Sequence, residues 1–124
     1  KLMKETGIYR LAEKSITDAT QEQLQWAGIC RALINSPDIL FADEPTGAVN
    51  PEQANDIMDV IHKINSMGTT VLLATHNIKA ASRSERILFM KDGGISDEYH
   101  FSKSENDLKE REVKLSEWLR KMDF

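Results

Sequence analysis

Asp43 and Glu44 stand side by side where the apolar run Ile39-Leu40-Phe41-Ala42 stops, and Pro45 and Gly47 follow at once. A short apolar run ended in this way suits a buried strand of a parallel sheet. In open α/β sheets, ligands sit in the crevice beyond the carboxyl ends of the strands. Two carboxylates there are costly to desolvate unless a cation or a proton-transfer role occupies them. One acid for Mg²⁺ and one for a nucleophilic water is the layout of a nucleoside triphosphatase. The plainer alternative is a polar turn after a strand, since short motifs match by chance. A second apolar run, Val71-Leu72-Leu73-Ala74, ends in Thr75-His76-Asn77. By itself His76 would be a strand-end turn histidine, and His62 and His100 are expected to be solvated.

These side chains need elements to position them. A helix is predicted from about Thr20 to Asn35, with Leu24, Ala27, Ile29, Leu33 and Ile34 available for packing. Strand Ile39–Ala42 follows. Asn50-Pro51-Glu52-Gln53 reads as a helix start: a capping side chain, a proline in the first turn and a glutamine three residues past the cap. That helix runs to about Ser66 with Ile57, Ile61 and Ile64 on one stripe, and Gly68 ends it. Strand Val71–Thr75, a short helix near Ile78–Ser82 and a hairpin Arg86–Ser96 are predicted to complete the sheet. Alternating strand and helix argue for parallel βαβ units and an α/β fold.

Residues 1–13 read as a mostly helical lead-in interrupted at Gly7, and Ser15–Asp18 as loop. A separate segment starts near Ser102, where Ser104-x-x-Asp107 offers a start like a capping box. Leu108, Leu115, Leu119 and Met122, with Trp118 beside them, make one apolar face of a charged helix. Such a face either docks on its own domain or seeks a partner's apolar groove.

The 124 residues suffice for one domain with a real core. A formal net charge of −4 leaves no electrostatic footprint for nucleic acid. One cysteine, Cys30, excludes an internal disulfide framework and fits a reduced cytosol. It lies among apolar residues of a helix, which suits packing better than a reactive thiol. No apolar run approaches the roughly 20 residues that span a bilayer, so a membrane partner would be another chain.

Four segments together resemble one family. Leu40-Phe41-Ala42-Asp43-Glu44-Pro45-Thr46-Gly47-Ala48 is similar to the Walker B strand and turn of ATP-binding cassette (ABC) ATPases, and Thr75-His76-Asn77 resembles their switch histidine. Arg31-Ala32-Leu33 with Ser36-Pro37-Asp38 resembles the helix end that leads from the signature motif into Walker B. Ile87-Leu88-Phe89-Met90-Lys91-Asp92-Gly93-Gly94-Ile95 resembles the last hairpin of such domains. The matches run in order from about residue 19 to residue 97. The resemblance implies a domain nearly twice this long, yet the phosphate-cradling loop G-x-x-x-x-G-K-[ST] is nowhere in the sequence. The chain, which begins at Lys1, therefore reads as the C-terminal half of such a domain, cut within its helical insert and not expected to be a competent enzyme as given. The expected fold is α/β, a partial P-loop-NTPase-like parallel sheet with flanking helices, lacking the Walker A half, plus a C-terminal helix. Residues 1–18 would be a remnant of the helical subdomain, 19–100 the C-terminal half of the ATPase domain and 101–124 an amphipathic helix.

By this resemblance Asp43 would hold Mg²⁺, Glu44 would orient the attacking water, and His76 would contact the γ-phosphate of ATP. The signature motif departs from the family: Ala19-Thr20-Gln21-Glu22-Gln23 stands where Leu-Ser-Gly-Gly-Gln is usual. That motif presents backbone N–H groups and a hydroxyl to a phosphate bound by the opposite subunit. Thr20 keeps a hydroxyl, but Gln21 and Glu22 lack the clearance of glycine, and Glu22 adds negative charge. Trp26 replaces a frequent arginine, and Asn50 stands in Gly47-Ala48-Val49-Asn50 where the family has aspartate. Residues serving the chain's own nucleotide are thus present, while of those serving the opposite site (Thr20, Gln21, Glu22, Gln23, Asn50) all but Gln23 are altered. This fits an asymmetric dimer with a second ABC ATPase subunit, one composite site active and the other slow; drift in a weakly active homodimer is the alternative.

The implied whole is the nucleotide-hydrolysing subunit of an ABC transporter, attached to transmembrane permease subunits at the cytoplasmic face of the cell membrane. Pro45-Thr46-Gly47-Ala48 looks most like the branch exporting peptides or lipoproteins, including antimicrobial-peptide resistance systems. A soluble ABC protein acting on ribosomes or DNA is one alternative, and a non-catalytic interaction module is another.

Overall fold

The computed structural model describes residues 15–124 together with residues 1, 4 and 13. The helical lead-in expected over residues 1–13, and most of the segment 1–18, lie outside the described residues. The chain divides into two compact units, Lys1–Ala74 and Thr75–Phe124.

In the first unit a short 3₁₀ turn, Ile16–Asp18, precedes α1 (Gln21–Leu33), β1 (Ile39–Asp43), α2 (Pro51–Ser66) and β2 (Thr70–Ala74). Helix α1 opens on a capping box: the Thr20 hydroxyl accepts the Gln23 amide at 3.2 Å, and the Gln23 side chain accepts the Thr20 amide at 3.1 Å. Two of the amides a helix start leaves unpaired are thereby satisfied. The helix stops earlier than Asn35, and Ser36 turns at φ 50 before Pro37, which disfavours helix in the residue ahead of it. The buried positions of α1 are Trp26 and Cys30, one turn apart on one face. Ile34, expected to pack, is the C-cap and is exposed.

Helix α2 repeats the device with Asn50 and Gln53, carries Pro51 in its first turn, and buries Ile57, Met58, Ile61 and Ile64. The expected stripe is the buried one. Gly68 ends the segment at φ +107, a conformation open to glycine at little cost. Strands β1 and β2 are parallel, in register from Ile39 opposite Thr70 to Asp43 opposite Ala74. Leu40 is buried on one face, while Phe41, opposite Leu72, is 73% exposed on the other. The strands are apolar on both faces, the composition of a parallel sheet covered on both sides.

The second unit holds α3 (Ile78–Ala81), β3 (Arg86–Lys91), β4 (Gly94–His100) and α4 (Leu108–Arg120). Asp92 at φ 51 and Gly93 at φ 79 make the two-residue turn between β3 and β4, with the positive φ pair whose twist suits a tight hairpin. The hairpin is longer than expected, pairing Arg86 with His100, with an irregularity between Phe89 and Met90. Among the described residues β3 and β4 pair only with each other, and β1 and β2 only with each other. An antiparallel hairpin satisfies its inner ladder by itself, and here α4 covers its apolar side.

That cover decides between the two readings of the C-terminal helix: it docks on its own unit. Leu115 and Leu119 are buried with Phe101, and Ile78, Ala81, Ile87, Phe89, Tyr99 and Trp118 pack around them. Tyr99 meets Phe101 edge to face at 5.0 Å, a favoured aromatic geometry. Arg111 spreads its guanidinium over the Phe101 ring at 4.3 Å and donates to the Ser82 carbonyl at 3.0 Å. The cap of α4 is Asp107, which accepts the Glu110 amide at 2.9 Å, and not Ser104, which instead bonds Ser102. Asp107 stands immediately before the helix, where a short carboxylate reaches the third helical amide. Lys114 bonds Glu105 and Glu110; the Glu105 bond chiefly holds the lysine pKa above its ordinary value and, with the Ser102 amide, Glu105 below its own. Leu108, expected on the apolar face, is exposed.

Leu115→Ala removes a side chain with 0% exposure from this cluster. The expected loss is about 3 kcal/mol of unfolding free energy, from transfer and cavity together. Chemical denaturation followed by tryptophan fluorescence reads it through Trp118, and a loss under about 1 kcal/mol would contradict this packing.

Candidate functional site

Strand β1 delivers Asp43 to the carboxyl end of the parallel pair, opposite Ala74 at the end of β2. Glu44 extends the ladder by one bond, its amide donating to the Ala74 carbonyl at 2.8 Å. It then turns at φ 44, in the left-handed region. Such a conformation costs a residue with a Cβ about 1–2 kcal/mol, so surrounding contacts must impose it. Three contacts do. The Gly47 amide closes the turn on the Glu44 carbonyl at 3.0 Å. A Cβ on Gly47 would stand 3.3 Å from that same oxygen, so glycine lets the turn close without crowding. Pro45 and Thr46 are buried, and the Gln25 side chain donates to the Pro45 carbonyl at 2.8 Å.

Asp43 is exposed and Glu44 half-buried. Among the described residues no three His, Cys, Asp or Glu side chains gather as a metal cage. Mg²⁺ is held by one or two carboxylates together with substrate phosphates and water. Asp43, exposed at a strand end, fits as such a single ligand.

Of the residues expected to face the opposite site, all but Gln21 are held by hydrogen bonds at the starts of α1 and α2 in the first unit. Thr20 and Gln23 are locked in their capping box. The Glu22 carboxylate accepts a hydrogen bond from the Gln53 side chain at 2.7 Å. Gln53 in turn accepts the Asn50 amide at 3.3 Å, and its own amide donates to the Asn50 side chain at 2.9 Å. The starts of α1 and α2 are thus joined through Glu22 and Gln53, with a carboxylate placed where a helix start favours negative charge. Gln21 is exposed and makes no part of this link.

His76 belongs to the second unit and lies just before α3. The Thr75 hydroxyl accepts the Asn77 amide at 3.0 Å, and Asn77 caps α3 by accepting the Lys79 and Ala80 amides at 2.9 and 3.3 Å. His76 is exposed between these two fixed neighbours. His62 and His100 are exposed too, and His100 bonds Glu98.

Sequence reading treated Gln53 as a cap alone and passed over Gln25. The one available signal was spacing: Glu22 and Gln25 are three apart and share a face of α1. Trp26, noted only as a missing arginine, is a core residue.

No protein-family model matches the chain. It is 38% identical over 97 residues to the bacitracin export ATP-binding protein BceA of Halalkalibacterium halodurans, covering 77% of this chain and 38% of that protein. It is 40% identical over 96 residues to the lipoprotein-releasing system ATP-binding protein LolD 1 of Rhodopseudomonas palustris, covering 77% of this chain and 42% of that one. Among solved structures it matches the ATP-binding cassette MJ0796 in a dimeric post-hydrolysis state bound to ADP and Pi. That match has a TM-score of 0.72 and 35% identity, over 80% of this chain and 44% of MJ0796. The chain thus spans about two fifths of the length of these relatives. Its α/β fold resembles part of an ABC ATPase domain. Among the described residues no helix is long and apolar enough to cross a membrane.

Proposed function

We propose that this chain is the C-terminal portion of the nucleotide-hydrolysing subunit of an ABC transporter. The observation that carries the reading is the Asp43-Glu44 step at the carboxyl end of a parallel strand, with Glu44 held in the left-handed region by bonds on both sides. Backbone strain kept at such a position is a mark of function. Similarity to ABC ATP-binding proteins over 77% of the chain supports the same reading.

Phosphoryl transfer asks for positioning and charge stabilisation more than covalent chemistry. Glu44 orients and polarises the attacking water, Asp43 is the Mg²⁺ ligand, and His76 contacts the γ-phosphate. Bound Mg²⁺ would neutralise charge developing on the phosphates. Residues 19–100 supply this half of the ATPase domain, and residues 101–124 end in α4, a helix that stabilises the hairpin unit. The partners are a second ABC ATPase subunit, a copy or a different chain, and transmembrane permease subunits at the cytoplasmic face of the membrane. The Pro45-Thr46-Gly47-Ala48 turn favours the branch exporting peptides or lipoproteins.

The test is phosphate release from ATP by the intact protein with its permease in vesicles. Hydrolysis that needs Mg²⁺ and stops on chelation is expected. An intact protein that neither binds nor hydrolyses ATP would overturn the reading in favour of an interaction module.

A further inference from the structure

Helix α1 touches the start of the loop between β1 and α2 and the first turn of α2. Gln25 donates to the Pro45 carbonyl at 2.8 Å, directly after Glu44, and Glu22 accepts from Gln53, shortly after the Asn50 cap. Both contacts are partly buried and join residues distant in sequence. The Gln25 bond matters more for Glu44. A left-handed residue with a Cβ tends to relax toward ordinary backbone, and the peptide that follows it must rotate for that to happen. The Pro45 carbonyl lies one peptide further on, joined to that peptide through the fixed φ of proline, so holding it restrains the relaxation.

We propose that Gln25 is a positioning residue, which fixes the turn that aims the Glu44 carboxylate and ties the orientation of α1 to it. The proposal rests on the hydrolytic role assigned to Glu44. Since α1 also carries Gln21–Gln23, a displacement of its first turn passes to Glu44 through Gln25 within one chain. An amide suits this position because it donates without bringing charge beside the carboxylates of Asp43 and Glu44. A glutamate here would set an acceptor against the Pro45 carbonyl.

Two substitutions separate positioning from packing. Gln25→Met keeps length and apolar volume and loses the donor, whereas Gln25→Lys keeps a donor on a stem of similar reach. In the intact protein, Gln25→Met is expected to lower kcat by roughly 10- to 100-fold with KM for ATP changed less than about twofold, because displacement of a positioned group acts on the reacting geometry. Gln25→Lys recovers part of the loss, since it restores the donor but brings a charge beside the carboxylates. Amide hydrogen exchange gives a readout that needs no turnover. The Gly47 amide, bonded to the Glu44 carbonyl, exchanges roughly tenfold faster in Gln25→Met, the size of one hydrogen bond, while amides in the middle of α2 are unchanged. Unaltered exchange at Gly47 overturns the proposal whatever the activity. A kcat equal to that of the parent overturns it too. Faster exchange in a parent that shows no ATP hydrolysis leaves the restraint of the turn standing and overturns the assignment of Glu44 instead.

Discussion

In the intact protein, Glu44→Gln should hydrolyse ATP at least about 100-fold more slowly than the parent while still binding it, since loss of a group that takes or directs a proton costs about 10²–10⁴ in rate. Glutamine keeps the shape and occupies the same left-handed position, so the turn set by Ala74, Gly47 and Gln25 should persist. Neutralising the carboxylate also removes a negative charge from the neighbourhood of a polyanion, so the nucleotide-bound dimer should accumulate. Gel filtration with ATP and Mg²⁺ shows it as a shift to the dimer position that the parent displays only transiently. Glu44→Gly makes a control with the opposite stability change. It relieves a residue at φ 44 and should raise thermal stability while activity is lost. Hydrolysis by Glu44→Gln at the parental rate would remove Glu44 from the mechanism.

The part of this site legible in the sequence was the part written in short contiguous patterns. The apolar run before Asp43, the cap of α2 at Asn50 and its Ile57, Ile61, Ile64 stripe are local, and the structure has all three. The hairpin expected over Arg86–Ser96 is local too, and the structure adds where it turns, at Asp92-Gly93 with two positive φ angles. What was not legible depends on long-range meetings. Nothing near Gln25 marks it as a partner of Pro45, twenty residues away. Gln53 was legible as a cap because its partner is three residues off, but its second bond, to Glu22, crosses thirty-one residues. The length of β4 likewise follows from pairing opposite Arg86 and from packing of Tyr99 against Phe101 and Trp118, not from its own composition, which is mostly polar. Alternation of elements says which strands exist, not which edges meet.

The altered signature leads to the second large expected effect. Glu22 stands in the first turn of α1, its carboxylate held by Gln53, and Gln21 beside it is exposed. In the dimer that the family resemblance implies, a γ-phosphate approaching this helix start from an opposite subunit would meet a fixed negative charge and two side chains where the family has glycines. Like charges brought together in a poorly solvated interface cost several kcal/mol. Replacing both residues, Gln21→Gly with Glu22→Gly, should raise ATP hydrolysis by a homodimer at least about tenfold. Folding stability should fall by about 1–2 kcal/mol, since each glycine weakens a helix. Activity and stability moving in opposite directions cannot be explained by better folding. Paired instead with a different subunit whose own signature is intact, the same variant should gain about twofold at most, because only the slow composite site is repaired. Glu22→Gln divides the two obstacles: it removes the charge and keeps an acceptor for Gln53, but leaves the backbone covered. Recovery by Glu22→Gln alone makes charge the obstacle; recovery only with glycines makes it clearance. If no substitution at positions 21 and 22 changes hydrolysis in either pairing, the first turn of α1 does not face a nucleotide and the asymmetric-dimer reading falls.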